Sequence, residues 1–551
     1  MRGFIEMTTR KTLIIGLDGA TFTVLAPLMK KNCLPNIQRM MANGSSGTLQ
    51  STIPPVTAPA WLALATGMCP DRAGVYDFVI KRDAQYHLRS LNSSYFQGRA
   101  IWDHLSQHGR TVGLLNYPLL RPPYPVNGIM VAGIGAVPGE EYTYPASLKD
   151  EFYKVLGSHY EIMLPLNESR YEDSQSLLRD IYTVLDKQVK IAEYLLSKKE
   201  WDLFWFVLSV TDWAQHFLWR HIDKTHPLNE GDKSDLIVKD FESFWIRIDE
   251  TIGKLCEIVG PETNVLILSD HGFGPHNQVF RLNGWLEQQG YIVRKKTGSM
   301  NKLRRTLNQG LQTLALKTSR FKIIPAGLYK LGRRSLEKVR VDVSDQIDLT
   351  SSVAFDPGHT VPLGGIYIND SVITDATERE IIAGEIILKL KDWGAKNGVE
   401  IETWQPDLSV NIEAKPQLPD IIVGINNWAC QMIKDSFDGP LFENRPYTTR
   451  ITGSHRREGV FICSGPDIRN IYLEKADICD IAPTLFHMFD LAVPSYVDGR
   501  VLIELYDPAY LADHPVKTEQ NPEGNDQQKT QGYTQNEEEA IKKQLQDLGY
   551  M

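Results

Sequence analysis

Short runs of apolar residues recur along the chain, and longer amphipathic stretches lie between them. The runs lack the polar alternation of a half-exposed strand, which is typical of strands buried on both faces of a parallel sheet. Apolar residues follow helical spacing over about 174–199 and 235–258. The pattern predicts an α/β fold, with a central, mostly parallel sheet sandwiched by helices. The predicted parallel strands are TLIIGL (12–17), TVGLL (111–115), DLFWFVLSV (202–210), NVLILS (264–269), IIVGI (421–425) and GVFIC (459–463).

Regions rich in Tyr, Pro, Asn or basic residues interrupt this rhythm and predict how the chain is divided. Residues 10–284 and 440–510 are expected to form one core, with smaller insertions at about 78–100 and 135–170. Residues 285–440 are expected to form a cap insertion that returns to the core at its end. The prediction is thus one α/β core with a cap, rather than a row of independent domains.

The C-terminal part of the chain changes character twice. Residues 514–535 are polar and poor in apolar side chains, which predicts a disordered linker. Residues 536–551 predict a C-terminal helix, because Ile541, Leu545 and Leu548 would share one face. Docking of this helix on its own domain is favoured over a role in oligomerisation.

Within the cap, the segment 294–340 carries 14 Lys and Arg residues and one acidic residue, Glu337. Leucines follow helical spacing in it, so it could lie peripherally on an anionic membrane surface. It could equally form a lid that attracts a phosphorylated substrate, or a solvated helix whose charges balance an acidic core. The leucines are Leu303, Leu307, Leu311 and Leu314.

Composition and charge narrow the class of protein. The formal net charge of −9 argues against binding of a nucleic acid polymer. The six cysteines include no Cys-x-x-Cys pair, so we expect neither a disulfide framework nor a thiolate zinc site. The apolar run near the N-terminus is too short for a signal sequence, and no stretch is long enough to span a membrane. These features predict a cytoplasmic protein.

Aspartates and histidines stand at the edges of four apolar segments. Each of them alone could be a turn residue or a helix cap, but together they indicate a metal site. Six such ligands are too many for one catalytic zinc and divide into two sets of three, which predicts two divalent cations. Asp and His without thiolate suit Zn²⁺, with Mn²⁺ as the alternative. The residues are Asp18, Asp212, His216, Asp270, His271 and His455.

A candidate nucleophile precedes a helix-like run. Thr57 follows Pro-Pro-Val and begins TAPAWLALATG (57–67). A hydroxyl at a helix N-terminus lies near free backbone N–H groups that favour anions. The alternative is that Thr57 only caps the helix.

The order of these motifs resembles the alkaline phosphatase superfamily, and within it the type I phosphodiesterase/nucleotide pyrophosphatase branch. The resemblance covers about 10–75, 200–285 and 440–505, and residues 477–502 resemble the final core helix and strand of that superfamily. The motifs are LDG (17–19), PPVTAPAW (54–61), TDWAQH (211–216), SDHG (269–272) and GSHRREG (453–459).

The resemblance implies a role for each candidate residue. Thr57 would be the nucleophile that forms a phosphothreonine intermediate beside the first cation. The ligands of that first cation would be Asp18, Asp270 and His271. The ligands of the second cation would be Asp212, His216 and His455.

One departure from the branch affects substrate recognition. The branch commonly has His-Gly-Ile-x-x-Asn after the nucleophile, whereas this chain reads AGVYDF (73–78) and lacks that Asn. A backbone N–H, Tyr76 or Arg456 would have to bind the phosphoryl oxygen instead, although Arg456 could also be a surface residue. MCPDR (68–72) superficially resembles the sulfatase signature Cys-x-Pro-x-Arg, but here Pro70 follows Cys69 directly and Thr57 already holds the position of the nucleophile. A sulfatase is therefore rejected.

The sequence therefore predicts a metal-dependent phosphohydrolase that cleaves small phosphate esters or diesters. A phosphoryl transferase or mutase on the same site is the first alternative. A non-catalytic scaffold that keeps the metal pocket is the second. The physiological substrate and the oligomeric state are left open.

Overall fold

A computed structural model defines the elements of the protein. The described residues are 10–81, 86–136, 140–164, 174–295, 346–358, 362–407, 418–433, 437–446, 450–519 and 535–548. The strands are β1 Thr12–Leu17, β2 Ser45–Gln50, β3 Val79–Lys81, β4 Leu88–Ser90, β5 Val112–Tyr117, β6 Gly128–Ala132, β7 Thr143–Tyr144, β8 Leu203–Leu208, β9 Asn264–Leu268, β10 Gly272–Pro275, β11 Gln278–Phe280, β12 Ala354–Phe355, β13 Gly364–Ile368, β14 Ile401–Trp404, β15 Ile421–Ile425, β16 Cys430–Met432, β17 Phe442–Glu443, β18 Gly453–Arg456, β19 Glu458–Ser464 and β20 Tyr472–Asp477. The helices are α1 Phe22–Lys30, α2 Pro35–Asn43, α3 Thr57–Thr66, α4 Pro70–Ala73, α5 Ile101–Gln107, α6 Leu148–Leu156, α7 Ser174–Lys198, α8 Val210–Ile222, α9 Asp235–Val259, α10 Leu282–Gln288, α11 Ala376–Asn397, α12 Ile481–Met488, α13 Pro508–Asp513 and α14 Gln535–Leu548.

One long sheet forms the centre of the fold, in the strand order β20-β2-β19-β9-β1-β8-β5-β6-β7. Parallel pairing joins β9, β1, β8, β5 and β6 in succession, and β2 pairs parallel with β20. Every residue of β1 and β8 is buried, as expected for strands with helices on both faces. The central, mostly parallel sheet flanked by helices confirms the predicted fold class.

Two of the predicted parallel strands run antiparallel, so those predictions were wrong. GVFIC (459–463) lies in β19, which is antiparallel to both β9 and β2. IIVGI (421–425) is β15, which lies in a separate sheet, antiparallel to β13 and β14. A continuous apolar run indicates burial on both faces, which an antiparallel strand in the middle of a sheet shares with a parallel one.

The two long amphipathic helices were predicted at nearly their observed bounds. α7 and α9 bury apolar residues at helical spacing, which in α9 include Ile237, Phe241, Ile248 and Ile252. They pack beside the central sheet and enlarge its hydrophobic core. Among the described residues, no helix combines the length and apolar character needed to cross a membrane.

A second, smaller sheet has the order β12-β13-β15-β14 and is joined by α11 in a separate hydrophobic cluster. Apart from Tyr86, the residues of that cluster begin at Phe280, close to the predicted start of the cap, but the predicted boundaries stay a prediction. Of the basic segment, only Arg294 and Lys295 lie within the described residues. Arg294 forms ion pairs with Glu287 at 2.5 Å and with Asp438 at 3.2 Å.

The C-terminal part differs from its predicted pattern in one respect. The core helix predicted within 477–502 is α12. The strand predicted after it is absent, because residues 489–502, all of them described, form only an isolated bridge from Val493 to Thr518. That bridge also places the start of the predicted linker against the core, whereas 520–534 lie outside the described residues. A proline at position 494 and a turn that follows it interrupt any ladder in this segment.

The predicted C-terminal helix is α14, and it docks on the same chain. Ile541 and Leu545 are buried in the core. Glu537 accepts a hydrogen bond from Arg121 at 2.7 Å, and the Lys542 ammonium donates to the carbonyl of Leu88 at 2.8 Å. Apolar contacts and polar anchors together fix the helix against β4 and the loop after β5.

Candidate metal centre

The six predicted ligands converge beyond the carboxyl ends of three neighbouring parallel strands. Asp18 follows β1, and Asp270 and His271 follow β9. Asp212 lies in the first turn of α8, which begins directly after β8. In an α/β sheet, this edge is where ligands bind.

His455 reaches the same place from far along the chain. β10 follows His271 and pairs antiparallel with β18, which sets His455 opposite Phe273. Position 272 at the start of β10 has no room for a side chain, because a Cβ on Gly272 would lie 2.1 Å from the carbonyl oxygen of Glu458, the first residue of β19. The ribbon formed by β10 and β18 therefore positions His455 at the edge of the central sheet.

The first set of candidate ligands consists of Asp18, Asp270 and His271. Nε2 of His271 lies 3.3 Å from Oδ2 of Asp270 and 3.7 Å from Oδ1 of Asp18. The Thr57 hydroxyl joins the group, 3.2 Å from the same Nε2. One ligand atom from each of the three residues lies within 4.8 Å of the others, which is close enough for a single cation to contact all three.

The second set consists of Asp212, His216 and His455. Nε2 of His216 lies 3.1 Å from Nε2 of His455 and 3.4 Å from Oδ1 of Asp212. Nε2 of His455 is 3.5 Å from the same Asp212 oxygen. Asp212 and His216 are one helical turn apart, so α8 presents both on one face.

The two sets adjoin each other. The rings of His271 and His455, one from each set, stack with their centroids 3.6 Å apart. The six side chains therefore form one continuous polar centre inside an apolar core. That is the arrangement expected of two neighbouring cations that act on one group.

Backbone carbonyls fix the orientation of all three imidazoles. Nδ1 of His216 donates to the carbonyl of Gly453 at 2.8 Å, and Nδ1 of His455 donates to that of Pro55 at 3.0 Å. Nδ1 of His271 donates to the carbonyl of Gly272 at 3.1 Å. Each ring thus carries its proton on Nδ1 and turns the Nε2 lone pair inward, as metal-binding histidines do.

The ionised forms of the buried carboxyl groups in this centre are unfavourable unless positive charge lies beside them. Burial raises the pKa of Asp18 well above its ordinary value, and the adjacent carboxyl of Asp270 raises it further. Burial likewise raises the pKa of Asp270. Both oxygens of Asp18 and Oδ2 of Asp270 have no hydrogen-bond partner among the described residues. Clustered carboxylates and inward-facing lone pairs fit divalent cations, which compensate buried negative charge.

Thr57 is the first residue of α3 and does not cap it. The N-cap position is Val56, and the Thr57 hydroxyl contacts His271 instead of a backbone N–H of its own helix. The N–H groups of the first helical turn lack acceptors within the helix, so they can donate to an anion. The alternative, that Thr57 only caps the helix, is therefore wrong. Thr57 faces the first ligand set.

Several supporting residues were missed by sequence reasoning. The Thr211 hydroxyl donates to the carbonyl of Asp18 at 2.7 Å, and the Gln215 amide donates to that of Gly19 at 2.8 Å. The Ser51 hydroxyl donates to the carbonyl of Asp270 at 2.6 Å. These bonds hold the loop after β1 and the loop after β9 in place. Thr211 and Gln215 each stand directly before a proposed ligand in the sequence, which is their only signal, and Ser51 has no such neighbour.

Gly19 is required by the geometry of the centre. Its φ is +68°, and an added Cβ would lie 2.9 Å from the Phe273 ring and 3.2 Å from Oδ1 of Asp212. We expect Gly19→Ala to lower the catalytic rate about 100-fold, since a shift of about 1 Å in reacting groups has that effect. Steady-state kinetics and metal content of the purified variant measure it.

A matched control for Gly19→Ala exists at Gly398, which has a similar φ of +65° but no atom within 4 Å of an added Cβ. Gly398→Ala carries the same backbone strain, about 1 kcal/mol of stability, without the clash. It should therefore keep full activity. Equal activity losses in both variants would show that strain, and not the position of Asp212, is responsible.

The two predicted substrate contacts, Arg456 and Tyr76, differ in their surroundings. The Arg456 guanidinium donates to the carbonyls of Trp428 at 3.1 Å and His455 at 2.7 Å, and also to that of Pro275. It thereby joins the β10–β18 ribbon to the segment that precedes β16. Tyr76 is buried, and its hydroxyl has no hydrogen-bond partner among the described residues. Both residues stay predictions as substrate contacts.

The protein combines a mostly parallel α/β sheet with two adjoining Asp/His sets and a hydroxyl at a helix N-terminus. These features are typical of phosphohydrolases with two metal ions. The chain belongs to the type I phosphodiesterase/nucleotide pyrophosphatase family, whose sequence model matches residues 12–356. It is therefore an enzyme that hydrolyses phosphoric esters. This confirms the resemblance and the enzyme class predicted from the motifs.

Solved structures are similar to the chain at low sequence identity, and no curated protein sequence matches it. Human ectonucleotide pyrophosphatase/phosphodiesterase 5 has a TM-score of 0.47 and 14% identity, over 92% of this chain and 99% of that chain. The murine protein, in an inactive form in complex with AMP, has a TM-score of 0.47 and 13% identity, over 90% and 100%. Phosphonoacetate hydrolase from Sinorhizobium meliloti 1021, in complex with phosphonoformate, has a TM-score of 0.46 and 14% identity, over 86% and 94%.

Proposed function

We propose that the protein cleaves small phosphate esters or diesters through a phosphothreonine intermediate at Thr57. The observation that carries this proposal is the position of the Thr57 hydroxyl, 3.2 Å from Nε2 of His271, at the junction of two buried Asp/His sets. Asp18, Asp270 and His271 would hold one divalent cation. Asp212, His216 and His455 would hold the other. A set of carboxylates and imidazoles without thiolate suits Zn²⁺, with Mn²⁺ as the alternative.

The reaction would proceed in two displacements at phosphorus. Bound divalent cations would supply the positive charge that ionises the Thr57 hydroxyl and neutralises the transferring phosphoryl group. The Thr57 hydroxyl releases its proton to solvent, and Oγ1 bonds to phosphorus as the bond to the leaving oxygen breaks. The leaving oxygen keeps the electron pair of that bond and takes up a proton from solvent, while backbone N–H groups of the first turn of α3 bind a phosphoryl oxygen. Water subsequently attacks the phosphorus of the phosphothreonine and breaks its bond to Oγ1. Phosphate leaves if the substrate was a monoester and a phosphate monoester leaves if it was a diester, and a proton from the water restores the Thr57 hydroxyl.

Hydrolysis of p-nitrophenyl mono- and diesters by the metal-loaded protein tests this proposal. We expect turnover of at least one ester class with Zn²⁺ or Mn²⁺ and its loss after dialysis against a chelator. The ratio of diester to monoester turnover identifies the preferred class, which the missing Asn leaves open. The absence of turnover with either ester and either metal would contradict the proposal.

Metal binding should stabilise the fold more strongly at pH 8 than at pH 5. The raised pKa values of Asp18 and Asp270 make the metal-free fold bind protons that the unfolded chain releases. The stability that these two carboxyl groups contribute to the metal-free fold is therefore fully present below the unfolded pKa, near 3.8 to 3.9, and is lost as the pH rises through the folded pKa values. A cation replaces those protons, so its stabilising effect grows with pH.

Thermal unfolding with and without chelator at both pH values measures this effect. Burial lowers the pKa values of His271 and His455 well below 6.5, so these rings stay neutral in the fold. The unfolded chain takes up protons at these positions as the pH falls below about 6.5, which destabilises the metal-free and the metal-loaded fold equally and therefore cancels in the comparison. Asp18→Asn should reduce the pH dependence. An equal shift in Tm at pH 5 and pH 8 would show that these carboxyl groups do not bind the cation.

A further inference from the structure

Two cysteines that are distant in sequence meet outside the metal centre. Sγ of Cys69 lies 2.9 Å from Sγ of Cys479, across 410 positions of the chain. A disulfide has an S–S distance of about 2.05 Å, so a movement of roughly 0.9 Å would bring the two sulfurs to bonding distance. Cys69 is half-buried and Cys479 is buried.

The surrounding backbone holds both cysteines in place. Asp498 accepts the Cys69 N–H at 2.8 Å and the Arg72 guanidinium at 2.7 Å, while its own N–H donates to Gly67 at 2.9 Å. On the other side, Cys479 lies within a capping box formed by the side chains and backbone of Asp477 and Asp480. The approach of the sulfurs is thus a consequence of the packed fold on both sides.

The pair joins two elements that matter for the candidate site. Cys69 follows the C-terminal end of α3, the helix whose first residue is Thr57. Cys479 lies in the short 3₁₀ helix Ile478–Asp480, immediately before α12. A covalent bond here would connect the nucleophile helix to the C-terminal part of the core.

We propose that Cys69 and Cys479 are a redox-modification site, which forms an intrachain disulfide by exchange with a low-molecular-weight disulfide. In its reduced state the contact is held by hydrogen bonds and packing alone. In its oxidised state the two segments are linked covalently. No cysteine belongs to either candidate ligand set, so the modification leaves those sets unchanged.

The exchange takes place in two balanced steps. Cys69 is the more accessible thiol, so its thiolate attacks one sulfur of the reagent and releases the first reagent thiolate. The Cys479 thiol gives its proton to solvent, and its sulfur attacks Sγ of Cys69 and displaces the second reagent thiolate. The chain loses two hydrogen atoms, and one reagent disulfide becomes two thiols.

Peptide mapping of the metal-loaded, full-length protein tests the proposal, with oxidised glutathione as the probe. We expect two of the six free thiols to disappear. Tryptic digestion without reductant should then yield residues 40–72 linked to residues 476–500, since trypsin cleaves after Arg39, Arg72, Lys475 and Arg500. Retention of all six thiols, or linkage of a different pair, would overturn the proposal.

Single substitutions assign the linkage to this pair. Cys69→Ser and Cys479→Ser should each abolish the linked peptide. Cys256→Ser is the matched control, because Cys256 is also half-buried but has no sulfur partner among the described residues. This variant should leave the linkage intact. Loss of the linkage in the control variant, or its survival in Cys69→Ser, would contradict the assignment.

A denaturation measurement tests the link between α3 and the C-terminal core. The disulfide closes a long loop, so oxidation should raise the urea midpoint of the wild-type protein. The midpoint of Cys479→Ser should not respond to oxidation. Turnover of a p-nitrophenyl ester should stay within about twofold on oxidation, because Thr57 lies at the opposite end of α3 and contacts neither cysteine. A lower midpoint after oxidation would contradict the proposed link.

Discussion

Replacing Thr57 by alanine should lower ester turnover by about 10⁴-fold or more while both cations stay bound. Loss of a covalent nucleophile has an effect of that order, and the remaining activity comes from electrostatic stabilisation alone. Thr57 is fully buried and its hydroxyl contacts His271, but it is not a member of either ligand set. Steady-state kinetics together with metal analysis separates a chemical defect from a loss of metal.

Three further variants test whether the missing hydroxyl causes the loss of turnover in Thr57→Ala. Thr57→Val keeps the shape of the side chain and should be as inactive as Thr57→Ala. Thr57→Ser restores the hydroxyl and should recover most of the rate. Thr66→Val at the other end of α3 removes a hydroxyl that donates to the carbonyl of Leu62 at 2.7 Å and accepts from the N–H of Met68 at 3.2 Å. Neither bond involves a candidate ligand, so this variant should be fully active. Substantial turnover by Thr57→Val would exclude the covalent pathway.

Asp212→Asn should reduce the metal content from two ions per chain to one and slow turnover by more than about 100-fold. That figure is the upper end of what the loss of a supporting hydrogen bond costs a metal site, so a larger loss indicates a direct ligand. Asp212 provides the only carboxylate of the second set, next to two imidazoles. Removing its charge therefore leaves that set with little affinity for a cation.

Asp103→Asn is the matched control for Asp212→Asn. Asp103 is also a buried aspartate, but it accepts hydrogen bonds from Gly98 and Tyr124 and belongs to neither set. Its replacement should leave the metal content at two and turnover close to that of the wild type. If Asp212→Asn retains both ions, Asp212 is not a ligand.

The sequence predicted the centre because its residues follow a rule of α/β sheets. Asp18, Asp212 and Asp270 each come at the end of an apolar run, and carboxyl ends of parallel strands meet at one edge. His455 does not follow such a strand, and its place depends on the β10–β18 ribbon. Its inclusion with Asp212 and His216 therefore came from the family resemblance, and the structure now places the three together.

Features set by tertiary packing could not be predicted in this way. The direction of β19 and the separate sheet of β15 depend on pairing partners, whereas their sequences report only burial. The need for glycine at position 19 arises from Phe273, more than 250 residues away. The approach of Cys69 to Cys479 likewise depends on how α3 packs against the last part of the core, which no local motif encodes.

The central claim is that two cations lie side by side in this centre, with Thr57 beside one of them. Anomalous diffraction from crystals of the metal-loaded protein, recorded at the absorption edge of the bound metal, tests it most directly. We expect two peaks, one about 2.0–2.2 Å from ligand atoms of Asp18, Asp270 and His271, and the other equally close to those of Asp212, His216 and His455. A single peak, or peaks outside these two sets, would contradict the account.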